Sequence, residues 1–357
     1  MDGSKSDHVR SWAIYPSQPS DRIVSARPAV TRDVIRIGII GTGMMGCEHI
    51  RNIASLDGAV VSAFSDPHEM SHTWARDNLA HAGSNQDAAH VLGFHDHREL
   101  LDSGLVDAVI IASPNHTHVD VLRDVLATDL PCLVEKPMCT TIEDCHEVIG
   151  AASTRSALTW VGLEYRYMPP IATLVQHVRR DDVGEVKMNL VIGAHPRFVY
   201  ASGGQDVNHL DERYPDGTPD ILDNAFVIVD YENGVRASLD LCMFAEASRN
   251  EQEISVVGSR GKIETALPGD GHVHIGSRAN RALTSVAAPI DPMVAHVGFH
   301  FGSSFVEVAR FCEAIRNGTA PEVTVEDGLW SVVIGVAAHR SIDEGRRVAI
   351  EELVNVV

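Results

Sequence analysis

No run of this sequence is apolar for long enough to span a bilayer, and its mean hydropathy is near zero, which excludes a membrane-spanning helix. Basic charge is scarce. Lys and Arg total 29 against 49 Asp and Glu, for a net charge of −20, so nucleic acid and anionic membrane surfaces are repelled as partners. No CxxC pair occurs. The six cysteines, Cys47, Cys132, Cys139, Cys145, Cys242 and Cys312, mostly lie in apolar text and read as reduced core thiols of a cytoplasmic protein. The first 33 residues lack a secretory apolar stretch and mix acids and bases with Ser and Pro. That composition predicts a disordered extension over 1–33.

What is present is ample apolar content, 44% of 357 residues, enough for two domains at about 150 residues each. From Val34 onward strands alternate with helices: "VIRIGII", "AVVSAFSD", "DAVIIASP" and "PCLVEKP" are separated by helical periodicities. Such alternation predicts a parallel sheet with right-handed crossovers over 34–155. After "TIEDCHEVIGAAS" the texture shifts. "LTWVGLEYRY" reads as a strand, "IATLVQHVRR" as a helix and "GEVKMNLVIGAH" as a long strand. "NAFVIVDYENGVRASLDLCMF" predicts a hairpin turning at Asn233-Gly234, and "EQEISVVGSRGKIETAL" another turning between Gly258 and Gly261. The expectation for 156–357 is an α+β domain with a largely antiparallel open sheet, closed by two helices.

Gly41-Thr42-Gly43-Met44-Met45-Gly46 fits GxGxxG, follows a strand and opens a helix. Asp66 ends the next strand, 20 residues past Gly46. Together these predict a dinucleotide site. Gly41 allows the tight turn, Gly43 admits the pyrophosphate, Gly46 lets helix and strand close up, and the helix start offers bare N–H groups. A carboxylate at Asp66 can accept the adenine-ribose hydroxyls and repels a 2′-phosphate, so NAD is expected over NADP. Next to it, His68-Glu69-Met70-Ser71-His72 spells HExxH, but at a strand end and a helix's first turn, where the dipole disfavours a cation. No metal is expected. "LVEKPM" carries a buried-looking strand straight into Glu135, Lys136 and Pro137, which suits an ammonium aimed at a ligand.

"IGIIGTGMMG", "SPNHTH", "EKP" and "GLEYRY", in that order, resemble the Gfo/Idh/MocA oxidoreductases, from about Ile35 nearly to the C-terminus. The resemblance implies a Rossmann domain followed by a substrate domain, NAD as cofactor, and an inositol-like cyclitol, polyol or sugar as substrate. It implies that Pro114, Asn115 and His116 line the cofactor, and that Glu135 and Lys136 stand at a strand's carboxyl end, with Lys136 touching the reacting oxygen. Arg166 would lie near cofactor or substrate, and copies of the chain would associate through the open face of the second sheet.

One family feature is missing. The resemblance calls for D-x-x-x-H on a helix opening the substrate domain. Here "AHPRFVYASGGQDVNHLDERYPDGTPDILDN" has no amphipathic helical run. Asp206 and His209 are spaced one residue too close, in text that reads as loop, leaving His209 as the substitute acid/base. The junction at 197–200 reads as though several tens of residues were absent, giving a shortened second domain. Three readings follow: an NAD-dependent dehydrogenase, a non-catalytic NAD-binding relative, and an NAD-assisted glycosidase or lyase.

Overall fold

The computed structural model describes residues 34–81, 90–188, 194–213, 217, 219, 221–289 and 302–354. The expected extension over 1–33 lies outside them, as does the end of the expected long strand at 189–193.

Two compact units form. The first holds a six-stranded parallel sheet made of β1 (Ile35–Ile40), β2 (Ala59–Ser65), β3 (Leu92–Phe94), β4 (Ala108–Ile111), β5 (Cys132–Glu135) and β6 (Thr159–Gly162), in the order β3-β2-β1-β4-β5-β6. All five strand pairings in it are parallel. Helices α1 (Met44–Ala54), α2 (Glu69–His81), α3 (His97–Asp102), α4 (His118–Leu126) and α5 (Ile142–Ser153) make the connections. A sheet covered on both faces needs strands apolar throughout rather than alternating. Thus Ile37, Ile39, Val109, Ile110, Ile111, Leu133 and Val134 are all fully buried.

This unit extends past the boundary expected at 155. The text "LTWVGLEYRY" splits: Thr159–Gly162 pairs with β5 as the sixth parallel strand, and Glu164–Tyr167 turns as a 3₁₀ helix. After α6 (Pro169–Arg179) the chain leaves for the second unit and later returns. Helix α7 (Ser303–Asn317) belongs to the parallel-sheet unit and packs against α1 and the 3₁₀ turn. It buries Val308, Phe311, Cys312 and Ile315 there. The long helix α8 (Val325–Glu344) begins in the same unit.

The second unit is a nine-stranded sheet. Its strands are β7 (Val186–Met188), β8 (Pro196–Gly204), β9 (Asn224–Tyr231), β10 (Arg236–Cys242), β11 (Gln252–Gly258), β12 (Gly261–Leu267), β13 (His272–Ser277), β14 (Leu283–Ala287) and β15 (Val348–Ala349), in the order β14-β13-β12-β11-β7-β10-β9-β8-β15. It is antiparallel apart from the β7–β10 pair. Both expected hairpins form, as β9–β10 and β11–β12. Gly234 takes the positive φ of 79° that the first turn requires. Strand β8, which the sequence reading did not assign, carries the chain through 197–200 with a register shift between Pro196 and Phe198; Val199 and Ala201 are buried and Arg197, Tyr200 and Ser202 exposed. No helix occurs among the described residues between Gln205 and Asp223.

Candidate functional site

The glycine turn performs three distinct jobs. Gly41 adopts φ +90°, and a Cβ there would meet the Ser113 backbone nitrogen at 2.5 Å. A Cβ on Gly46 would strike the Gly41 carbonyl at 2.0 Å, so only glycine lets α1 start this close to β1. Around Gly43 nothing lies within 4 Å, leaving its backbone open to an approaching group. Gly43 is also the N-cap of α1, with no capping side chain and no acid in the first turn. The helix therefore presents uncapped N–H groups and its positive end, the requirement for a pyrophosphate. Thr42 is buried, Met44 is exposed and Met45 is half-buried at this lip.

Asp66 stands where β2 ends, with 8% exposure. Its two oxygens each accept one backbone N–H, from Thr42 at 2.9 Å and from His68 at 2.9 Å. Each keeps lone-pair capacity for a ribose hydroxyl. This carboxylate ties the glycine turn to the neighbouring loop, a link that the sequence spacing did not reveal. The HExxH pattern dissolves. Glu69, His72 and His95, not His68, bring donor atoms within 4.8 Å of one another. The two imidazoles stack at 4.5 Å and 22°, so their in-plane lone pairs run side by side rather than converge.

At the carboxyl ends of β4 and β5 two loops meet. Pro114, Asn115 and His116 are exposed on the first, at the start of a 3₁₀ turn. His118 is buried behind them. Its Nδ1 lies 2.8 Å from the Pro137 carbonyl oxygen and its Nε2 2.9 Å from that of Ser113. One imidazole thereby couples the cofactor loop to the residue following Lys136. The final histidine of "SPNHTH" was the available signal for this role, but the sequence assigned only His116.

Lys136 follows the buried end of β5 and is half-exposed, with Nζ 3.6 Å from the Glu164 Oε1 on the 3₁₀ turn. The Lys136–Pro137 peptide is cis. Burial would lower the Lys136 ammonium, but Glu164, Glu135 and Tyr165 outweigh it and hold it above its ordinary value. Glu135 is buried and accepts the Lys136 N–H at 3.3 Å. His49 of α1, fully buried, bonds Glu135 Oε1 through Nε2 at 2.7 Å. Burial would raise Glu135, but His49 and Lys136 overcome it and keep its carboxyl below the usual range.

Deeper still, Glu307 of α7 is fully buried and accepts from Trp160 Nε1 at 3.4 Å. Burial, then the charges of Glu135 and Glu164, push it well above the carboxylate range. Arg166 reaches the Glu322 carbonyl oxygen at 3.4 Å, Tyr167 is buried and Tyr165 is exposed. His49, His118, Glu164 and Glu307 thus complete a polar cluster around Lys136.

His209 lies in the sheet unit, apart from this cluster in the chain's division. It sits in a turn at φ 61°. Its Nδ1 is 2.7 Å from Glu212 Oε1, so Glu212, not Asp206, is its partner. The turn is anchored by Asp223, whose carboxylate accepts N–H groups from Asp206, Val207 and Asn208. Burial opposes the Asp223 charge, but these bonds win and hold its carboxyl well below the ordinary value.

Comparison with known proteins matches the chain in two parts, the second of which takes in α7 and α8. Residues 35–163 match the oxidoreductase family, NAD-binding Rossmann fold, and residues 188–350 match the oxidoreductase family, C-terminal alpha/beta domain. Inositol 2-dehydrogenase of an Arthrobacter species is 31% identical over 89% of this chain and 97% of its own length. Myo-inositol 2-dehydrogenase of Thermotoga maritima is 22% identical over 90% of this chain and all of its own. Among solved structures, levoglucosan dehydrogenase with NADH and levoglucosan superposes with a TM-score of 0.75 at 17% identity, over 88% of this chain and 99% of that one. An oxidoreductase from Agrobacterium radiobacter with NAD+, L-tartaric acid and magnesium gives 0.74 at 16%, over 90% and 99%.

Proposed function

Because the chain belongs to the Gfo/Idh/MocA oxidoreductases, and is an NAD-binding oxidoreductase of that family, we propose that it oxidises a secondary hydroxyl of a cyclitol, polyol or sugar. NAD, when bound, supplies the acceptor for the hydride. The residues that would hold it are Gly41 to Gly46 at the pyrophosphate, Asp66 at the adenine ribose, and Pro114, Asn115, His116 and Arg166 toward the redox ring. The observation that carries the reading is Lys136: a half-exposed ammonium 3.6 Å from the Glu164 carboxylate, its backbone N–H held by Glu135, at the carboxyl end of β5, where open α/β sheets bind their ligands. A held positive charge stabilises the negative charge that develops on the substrate oxygen. The relatives named as inositol dehydrogenases support the substrate class.

His209 is the second candidate for the alcohol's proton, oriented by Glu212. Its replacement by Gln is expected to lower turnover if it serves there. Self-association through the exposed face of β8 and β9 is part of the same proposal. Tyr200, Phe226 and Ile228 are 46%, 65% and 47% exposed, and cross-strand pairing makes them neighbours.

The test is a calorimetric titration with NADH and NADPH, then an oxidation screen over cyclitols, polyols and sugars. Lys136→Met is expected to abolish turnover while NADH affinity holds. An unchanged rate refutes the role of Lys136. The missing D-x-x-x-H helix favours one competing reading, a non-catalytic NAD-binding protein. Wild-type turnover near or above ~1 s⁻¹, in the ordinary enzyme range, eliminates it.

A further inference from the structure

We infer that Glu164 takes a proton from Lys136 each time Lys136 takes one from the substrate hydroxyl. The inference rests on the assignment of Lys136 above. Oxidation of a secondary alcohol sheds a proton as well as a hydride, and an ammonium with three N–H bonds has no lone pair to receive it. Lys136 can orient and stabilise the oxygen as it stands. To act as a base it must first give a proton away.

Two carboxylates adjoin it. Glu135 is committed elsewhere: one oxygen is bonded by His49 and the other accepts the Lys136 backbone N–H. Glu164 faces the ammonium itself, with Oε1 3.6 Å from Nζ and only 2% exposure. An ionised carboxylate is an acceptor only, so it can receive an N–H proton from the ammonium it faces. Glu307 is no rival: it accepts from Trp160 rather than facing the ammonium, and burial pushes its carboxyl well above the ordinary range. The remaining titratable or charged groups of this cluster are Tyr165, Arg166 and Tyr167 on the same 3₁₀ turn, His49 on α1, His118 on α4, and Glu322 beside Arg166 and Tyr167.

The bookkeeping of bonds is simple. One N–H bond of Lys136 breaks and an O–H bond forms on Glu164. The substrate O–H bond breaks and a new N–H bond forms on Lys136. Lysine begins and ends the exchange as an ammonium, and Glu164 ends as a neutral acid. After product leaves, the half-exposed lysine carries that proton back out to water by the reverse exchange. The arrangement needs no imidazole from a substrate-domain helix; among the described residues between β8 and β9 there is no helix, and His209 sits there in a turn.

The test compares wild type with Glu164→Gln and Glu164→Asp. The first readout needs no substrate: the pH dependence of Lys136 acylation by acetic anhydride, followed by peptide mass spectrometry in a chain with four lysines. Glu164→Gln is expected to lower the pH at which Lys136 becomes reactive, and Glu164→Asp to restore it. The second is turnover with NAD+ and whichever polyol the wild type oxidises fastest. Glu164→Gln is expected to lose on the order of 10²-fold in kcat at neutral pH. Its rate should then climb with pH as the lysine itself becomes the base, with NADH affinity unchanged. Three results overturn the inference: unaltered Lys136 reactivity, a Glu164→Gln pH profile matching wild type, or parallel loss of turnover and NADH binding in both variants. If Lys136→Met is dead while Glu164→Gln is normal, the relay alone falls. A wild type inactive on every polyol removes the assignment of Lys136 and the relay with it.

Discussion

Glu307 shows how one residue's surroundings set the protein's response to pH. It is fully buried, it lies in the field of Glu135 and Glu164, and its Oε2 has no hydrogen-bond partner among the described residues. Its acid form is favoured in the folded state, so the native chain holds a proton that the unfolded chain releases above the ordinary carboxylate range. Stability from this group is therefore complete at acid pH. It falls as pH rises from that range through the folded value, by at most about 1.4 kcal/mol per pH unit. Glu307→Gln mimics the neutral acid without titrating. Between pH 5 and pH 8 its melting temperature should fall less than that of wild type, by about 2 °C or more, as scanning calorimetry would show. Residues of this kind were illegible in the sequence. The glycines and Asp66 could be assigned because a turn and a phosphate impose a fixed local spacing. His49, His118, Glu164 and Glu307 could not, because their partners lie 86, 19, 28 and 147 positions away.

Elements were legible wherever their own residues sufficed to form them. Helix α5 begins at Thr141, whose side chain accepts the Asp144 N–H at 3.1 Å, with Glu143 and Asp144 in the first turn. Thr141→Ala leaves that N–H without its cap, and chemical denaturation should register a loss of about 1 kcal/mol. The text Asp107–Lys136, strand to helix to strand, was readable for the same reason. β8 was not. "PRFVYASGG" holds Pro and four small residues with weak strand preference. What makes it a strand is a ladder to β9 on one edge and to β15, some 150 residues later, on the other. The Glu164–Tyr167 turn failed as a strand reading because alternation of Tyr with polar residues mimics a two-residue period.

At the scale of the whole molecule, the sheet unit leaves an apolar strip on β8 and β9, with Phe226 at 65% exposure opposite Ser202 and Asp240. This strip is the face proposed above for self-association, since exposed apolar patches of this kind favour contact with another surface. Phe226→Arg should lower the mass found by light scattering without altering NADH affinity. An unchanged mass would show that copies meet elsewhere or not at all. By itself the sequence determined the alternating strand-helix order, the dinucleotide turn and the lysine at the end of β5, since each follows from periodicity or from contacts a few residues apart. Only the tertiary structure decided that the chain returns late to lay α7 against α1, and that a buried carboxylate from the next turn faces Lys136. Those outcomes depend on which distant surfaces bury each other, a quantity no local pattern contains.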